Sequence, residues 1–261
     1  MQTFWAILQL TRVDSCVLGF LCLFIPIYVR TNDLSVSLGR AFPLLFVCMC
    51  AFIANDLDDL ERDKINHPER PLPKGHLNPT VAAVLYFICL ALVLFLTRHF
   101  VDERIAFWYY ALVTLSISYF YVVEYLPSIK ALYVAVAISV PILIVAVSYP
   151  DEQRLYLVAV AGFMFAFGRE LCMDIEDRSA DVVSVIHRIR PVSLAIFAFV
   201  AQTFGWTLLL VQVRRPLDVF AAVFMALVLI MSGIFWFGLK KHMAAIRLMK
   251  LQLLIGLYFL I

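Results

Sequence analysis

The chain has 261 residues, of which 64% are apolar and 15% charged, and its formal net charge is +2 at neutral pH. An average soluble domain is roughly 45–50% apolar and 25% charged, so this composition calls for lipid as its solvent. It argues against a nucleic-acid partner, because no Lys/Arg-rich run is interleaved with aromatics. It also argues against a disulfide framework, because Cys16, Cys22, Cys48, Cys50, Cys89 and Cys172 mostly fall inside apolar stretches without paired spacing.

Residues 1–10 carry no basic residue and so lack the n-region of a cleaved signal peptide. Beyond them the chain alternates apolar runs with short polar ones. A membrane-spanning helix takes about 20 mostly apolar residues, and such stretches occur at about 14–30, 36–56, 79–98, 103–122, 127–148, 155–174, 191–212, 216–238 and 242–261. The sequence therefore predicts an all-α, polytopic membrane bundle of nine transmembrane helices, a multi-pass protein of the lipid bilayer. Nine spans use nearly the whole chain, which reads as a single membrane domain over 1–261.

With nine spans, the N-terminus and the loops after spans 2, 4, 6 and 8 share one face. That face collects Arg12, Arg62, Lys64, Arg70, Lys74, Lys130, Arg178, Arg188, Arg190, Lys240, Lys241, Arg247 and Lys250. The opposite face holds Arg30, Arg40, Arg98, Arg104, Arg154, Arg214 and Arg215. The positive-inside bias assigns the richer face to the cytoplasm.

Two acidic clusters stand out. Span 2 runs into Asn55-Asp56-Leu57-Asp58-Asp59-Leu60-Glu61-Arg62-Asp63, and span 6 runs into Asp174-Ile175-Glu176-Asp177-Arg178-Ser179-Ala180-Asp181. Asp56, Asp59 and Asp63 stand at i, i+3 and i+7, as do Asp174, Asp177 and Asp181, so each trio lines one helical stripe. Four spans separate the clusters, which puts both at one membrane face. Carboxylates packed this closely repel one another unless cations or protons relieve them. Mg²⁺ takes oxygen ligands, commonly one or two carboxylates completed by water and substrate phosphate oxygens. Arg62, Lys64, Arg70 and Lys74 beside the first cluster, with Arg178, Arg188 and Arg190 beside the second, suit a polyanion. One aspartate at a helix end would read as a solvated charge, but two trios of identical spacing do not. An ion-coupled transporter would account for the acids without accounting for the basic loops.

Asn55, Asp56, Asp59 and Asp63 fit N-D-x-x-D-x-x-x-D, and the chain here resembles the UbiA superfamily of intramembrane prenyltransferases. Asn66-His67-Pro68-Glu69-Arg70-Pro71-Leu72-Pro73-Lys74-Gly75 resembles the family's N-x-P-x-R-P-[IL]-P-x-G stretch, and Arg169-Glu170 leading to Asp174-Ile175-Glu176-Asp177 resembles its second motif. The resemblance implies a UbiA-like bundle with a central cavity, a polar cap over its cytoplasmic mouth, and side access for an isoprenoid tail. It also implies a prenyl diphosphate donor, ionised at Mg²⁺ held by Asp56, Asp59, Asp63, Asp174, Asp177 and Asp181. The hydrophobic acceptor would be aromatic or lipid-like, whereas some relatives act as terpene cyclases and use none.

Around those six acids, Asn55 and Asn66 are candidates for a metal-bound water or a phosphate oxygen. Arg70, Lys74, Lys130 and Arg178 are candidates for the diphosphate, Arg70 foremost because a guanidinium binds oxygens bidentately. Tyr119 and Tyr121, at the mouth of span 4, can face an allylic cation or anchor the span at the interface. Pro68, Pro71 and Pro73 predict an ordered cap loop in place of a helix. The chain departs from the family where Glu124 precedes Pro127, a region that usually carries a lysine, and where residues 182–188 lack the usual glycine. His67, His76, His99, His187 and His242 show no zinc spacing.

Overall fold

The computed structural model describes residues 2–176 and 189–261. Every regular element among them is helical. In chain order these are α1 (Gln2–Leu10), α2 (Val13–Thr31), α3 (Leu34–Asp58), α4 (Leu60–Asn66), α5 (Pro79–Phe100), α6 (Glu103–Tyr125), α7 (Lys130–Ser148), α8 (Arg154–Glu176), α9 (Pro191–Leu210), α10 (Pro216–Gly233) and α11 (His242–Gly256). A π-helical turn, Ile234–Gly238, extends α10, and 3₁₀ turns at Pro127–Ile129 and Leu257–Leu260 precede α7 and follow α11.

Among the described residues, eight helices are long and apolar enough to cross a membrane. They coincide with eight of the nine expected spans, and the expected span over 103–122 is the 23-residue α6. The protein is thus an all-helical, multi-pass membrane bundle. Two short helices lie outside the expected spans: α1, which leads into Arg12, and α4, which carries Asp63 of the first acidic cluster.

Helix boundaries follow local chemistry. Asp33 accepts a hydrogen bond from Val36 N at the start of α3, and Asn78 accepts one from Thr80 N ahead of Pro79, each satisfying an amide that has no partner inside its helix. Proline opens α5, α9 and α10, where its missing N–H removes nothing. Asp218 caps α10 by accepting from the backbone N–H groups of Arg214 and Arg215 at 3.0 and 2.9 Å.

The chain forms two compact units, residues 1–125 and 126–261. In the first, α3 is the hub, packed against α2, α5 and α6. Tyr109 of α6 is fully buried and donates to the carbonyl of Arg40 in α3, and the Arg40 guanidinium pairs with Asp102 at 2.5 Å. In the second unit α8 is the hub, packed against α7, α9 and α11, and 61% of its apolar window is buried where no other span exceeds 39%. Each hub carries one of the acidic motifs at its C-terminal end.

The α8–α9 contact is built from small residues, among them Ala161, Gly168, Ala198 and Gly205, which let two backbones approach closely in lipid. A Cβ on Gly168 would stand 2.5 Å from the Ala198 carbonyl oxygen, and one on Gly205 3.0 Å from that of Ala161. Backbone cannot yield as a flexible side chain can. Gly168→Ala is therefore expected to destabilise the protein by about 1–3 kcal/mol, the usual penalty of overpacking, read as a lowered unfolding midpoint in detergent. Gly233→Ala serves as the comparison: its nearest neighbour is a Phe199 ring atom at 3.8 Å, and it should leave the midpoint level or slightly raised.

Candidate active site

The first acidic cluster forms where α3 ends. The helix breaks at Asp59, whose φ and ψ are −79° and 3°, and resumes as α4. Backbone bonds from Asp59 N to Asn55 O (2.9 Å) and from Asp63 N to Asp59 O (2.7 Å) carry the helical register across the break. Asp56 and Asp63 are both buried, at 4% exposure each. Asp59 is half-buried.

Arginines reach these acids from three directions. Arg12 sits in the left-handed region (φ 46°, ψ 52°) at the junction of α1 and α2. Its Nη2 donates to Asp56 Oδ1 at 2.8 Å, and its guanidinium lies over the Phe52 ring at 4.8 Å. Arg70 Nη1 stands 2.6 Å from Asp63 Oδ2 and 3.7 Å from Asp56 Oδ1, between the two buried carboxylates. Arg62 Nη2 is 3.1 Å from Asp59 Oδ1 and 3.5 Å from Asp58 Oδ2. Asn55 Nδ2 donates to Asp59 Oδ2 at 3.1 Å and so orients that carboxylate.

Arg70 is delivered by the loop between α4 and α5, which contains turns and no helix. Its fixed points are Leu72 and Leu77, buried in a cluster with Ala6, Leu10, Cys50, Ile53, Ala82 and Cys89. Gly75 takes φ +75°, a left-handed conformation natural to glycine, while His76 N and Leu77 N both donate to the Pro71 carbonyl. The loop is thus an ordered cap. Lys74 on it is exposed and stands in no ion pair among the described residues. Asn66 ends α4, its side chain lying outside the described residues.

In the second unit, Asp174 is buried at 7% exposure on the last turn of α8, and Lys130, the first residue of α7, places Nζ 3.8 Å from its Oδ1. Glu170, one turn earlier on the same stripe, is also buried and pairs with Arg169. Glu176 leaves the stripe, being turned about 200° from Asp174. It meets His242 Nδ1 at the start of α11, and the His242 ring stacks on Trp236 at 4.3 Å between centroids. Beside Lys130 an apolar groove of about 410 Å³ opens, lined by Ala131, Leu132, Phe167, Leu171, Leu194 and Phe197. Asp177, Arg178 and Asp181, together with the divergent 182–188 segment, lie outside the described residues.

In α6, Tyr121 is 61% exposed and stacks on Tyr125, Tyr119 is half-buried, and Glu124 is exposed. The structure thus gathers Asn55, Asp56, Asp59, Asp63 and Arg70 in one unit, and Lys130 with Asp174 in the other. Among the described residues no three His, Cys, Asp or Glu side chains stand grouped as a metal would need. The pair Asp56 and Asp63 nevertheless fits a hard cation: both offer only oxygen, and both already approach one cationic nitrogen, much as one or two carboxylates serve Mg²⁺.

Two contacts were outside the sequence-based set of site residues. Arg12 entered only among the cations of the more basic face, although it is the sole basic residue in the first 29 and lies beside an apolar run. The tie from Glu176 to His242 was foreshadowed by the offset of Glu176 from its neighbours' stripe, but its partner lies 66 residues away.

A family model described as the UbiA prenyltransferase family matches residues 16–254. The digeranylgeranylglyceryl phosphate synthase of Methanocaldococcus jannaschii is 35% identical over 96 residues, 34% of this chain and 34% of that protein. The protein of the same name from Thermococcus gammatolerans is 30% identical over 186 residues, 68% of this chain and 65% of that protein. The chain so spans from about a third to just under two thirds of the length of these relatives. A UbiA homolog from Aeropyrum pernix K1, solved in its apo form, matches with a TM-score of 0.77 at 16% identity, over 94% of this chain and 96% of that one. A structure concerned with digeranylgeranylglyceryl phosphate synthase in membranes matches with a TM-score of 0.74 at 20% identity, over 100% and 98%. At these identities the structural likeness is one of fold.

Arg12 and buried Asp56 form a pair whose halves should not be separable. Removing Arg12 leaves buried Asp56 to the more distant Arg70 at 3.7 Å, a loss of about 1–3 kcal/mol after discounting for the third of the Arg12 side chain that is exposed. Arg12→Met should therefore lower the unfolding midpoint in detergent, and the double variant Arg12→Met, Asp56→Asn should recover most of the drop.

Proposed function

Because the chain belongs to the UbiA prenyltransferase family, we propose that it is an Mg²⁺-dependent intramembrane prenyltransferase, its two units acting as one catalytic domain with the acidic motifs open to the cytoplasm. The donor is an allylic prenyl diphosphate. The acceptor is a lipid-like alcohol, and the name shared by the relatives above favours a glyceryl phosphate that already carries an isoprenoid chain. The carbon–oxygen bond to the diphosphate breaks with its electron pair on the leaving group. The acceptor hydroxyl oxygen then bonds the allylic carbon and gives up its proton.

The observation that carries this reading is the placement of Arg70 Nη1 between Asp56 and Asp63 under an ordered cap. A site that already holds two buried carboxylates around one cation, with a guanidinium able to turn to phosphate oxygens, is built to exchange charged partners. Asp56, Asp59 and Asp63 at the first motif, and Asp174, Asp177 and Asp181 at the second, are the residues that would hold Mg²⁺, which would supply Lewis acidity to a departing diphosphate. Arg70 binds that diphosphate bidentately, with Lys74, Lys130 and Arg178 adding positive charge. Asn55 keeps Asp59 in its orientation, Arg12 keeps Asp56 in its own, and Asn66 donates to a phosphate oxygen. Tyr119 and Tyr121 face the developing cation. The apolar groove beside Lys130 is of a kind an isoprenoid chain packs on, and such walls keep water from the cation.

Purified protein supplied with geranylgeranyl diphosphate, a geranylgeranylglyceryl phosphate acceptor and Mg²⁺ should release diphosphate only when both the acceptor and the metal are present. Asp56→Asn and Asp174→Asn should each lower turnover by at least ~100-fold, the scale of losing a main electrostatic contributor, with helicity by circular dichroism unchanged. Full turnover in both variants, or a cyclic hydrocarbon formed without acceptor, would count against the reading.

A further inference from the structure

α9 and α11 each bury an amide side chain in the apolar interior of the second unit. Gln202 of α9 is 0% exposed and Gln252 of α11 is 1% exposed. Gln202 continues the buried stripe of Leu194 and Ala198, and Gln252 that of Ala245 and Met249. Apolar packing gives no reason for glutamine at either position.

Contacts with α8 put the two amides in one layer. Gly168 lies against Ala198 and Gln202, and Gly205 against Ala161, so α9 runs antiparallel to α8. His242 meets Glu176 at the end of α8 and Gly256 lies beside Phe165 further down, so α11 does the same. The Phe165 ring stands between α9 and α11: its Cε1 is 3.3 Å from the place a Cβ on Gly205 would take, and its Cε2 3.8 Å from that of one on Gly256. Gln202 comes three residues before Gly205 and Gln252 four before Gly256, so both stand one turn above the ring, by about 4.5 and 6 Å. The layer above them is apolar again, because Ala198, Met249, Leu171 and Cys172 belong to one buried cluster. The amides are thus enclosed between the phenylalanine and that cluster, at the height of Gly168 and about 9 Å along α8 from Asp174.

Protein groups do not meet their hydrogen-bonding capacity. Among the described residues, Gln202 Nε2, Gln202 Oε1 and Gln252 Oε1 have no hydrogen-bond partner. Polar atoms at such a place are costly unless something pairs with them. The Gln202 side chain lies along α8, its Cγ 2.7 Å and its Nε2 3.2 Å from where a Cβ on Gly168 would be, so the bare glycine is what gives the amide its place. One donor and two acceptors in a layer closed to lipid and solvent suit a ligand that gives two hydrogens, accepts at least one, and is very small. Water has that chemistry, and internal waters typically make about three hydrogen bonds to buried polar groups.

We propose that this layer is a binding site for internal water, which bridges Gln202 and Gln252 and so ties α9 to α11 across Gly168 of the motif-bearing helix. In lipid, where the hydrophobic effect does little to hold helix against helix, polar bridges of this kind act as glue. The site stands whatever reaction the chain performs.

The test is a crystal structure of the full chain grown in a lipid mesophase, at a resolution that shows ordered water, joined to a double-mutant cycle. Density should lie within ~2.7–3.2 Å of an atom from each amide, the ordinary hydrogen-bond range. Gln202→Met and Gln252→Met, which keep the length of the side chain, should each lower the unfolding midpoint in detergent, because each deprives the other amide of its bridge. The double variant should then fall no further than the worse single, the sign of coupled residues. A map in which the two amides bond directly to each other, or one with no density between them, would overturn the site. Losses that simply add in the double variant would overturn it too. The map uses the unaltered chain, so it decides the matter even where a variant fails to fold.

Discussion

A carboxylate at the end of a membrane span must have a cation, and the organisation of this chain follows from that requirement. Asp56 and Asp63 are buried where α3 gives way to α4, and Arg12 and Arg70 come to them from sequence on either side. To bring Arg12 there, the backbone turns through the left-handed region between α1 and α2, a conformation unfavourable for a residue with a side chain. To bring Arg70 there, the cap loop is pinned by two buried leucines and a glycine in a conformation few other residues adopt. Both devices make sense as the means of placing guanidinium groups against buried acids.

The acids in turn sit on the helices best able to hold them still. α3 and α8 are the most connected helices of their units, and each ends in an acidic motif. In lipid the hydrophobic effect does little to drive helix against helix, so close backbone approach through alanine and glycine does that work. α8 shows it along its length, from Ala161 against Gly205 to Gly168 against Ala198. Rigid placement of the motif-bearing helix is what a site with tolerances of well under an ångström requires.

Much of this was legible from the sequence because the signals are local. Hydropathy located the spans, since each must satisfy its own backbone hydrogen bonds and needs about 20 apolar residues to cross. The i, i+3, i+7 spacing put Asp56 and Asp63 on one side, and the prolines of the cap loop excluded a helix there. The break at Asp59 was not legible, because α3 and α4 share a register and only the backbone angles of one residue interrupt it. Pairings across long separations were not legible either. Arg12 and Asp56 lie 44 residues apart and Glu176 and His242 66 apart, and no periodicity in one helix encodes a partner on another.

Helical geometry also sorts the acids within each motif. An acidic run looks uniform in the sequence, yet residues on the stripe and off it enter different environments. Asp56 and Asp63 are on the stripe and buried, facing Arg12 and Arg70. Glu61 is off it, exposed and paired locally with Lys64, while Arg62 is shared between off-stripe Asp58 and on-stripe Asp59. In the second motif Asp174 is on the stripe beside Lys130, whereas Glu176, two residues on, is turned to the far side and spends its charge on His242. Glu61 and Glu176 pair away from the stripe, while Asp56, Asp63 and Asp174 lie buried on it. A motif that seems to hold more carboxylates than a site needs is thus dividing two tasks between two faces of one helix.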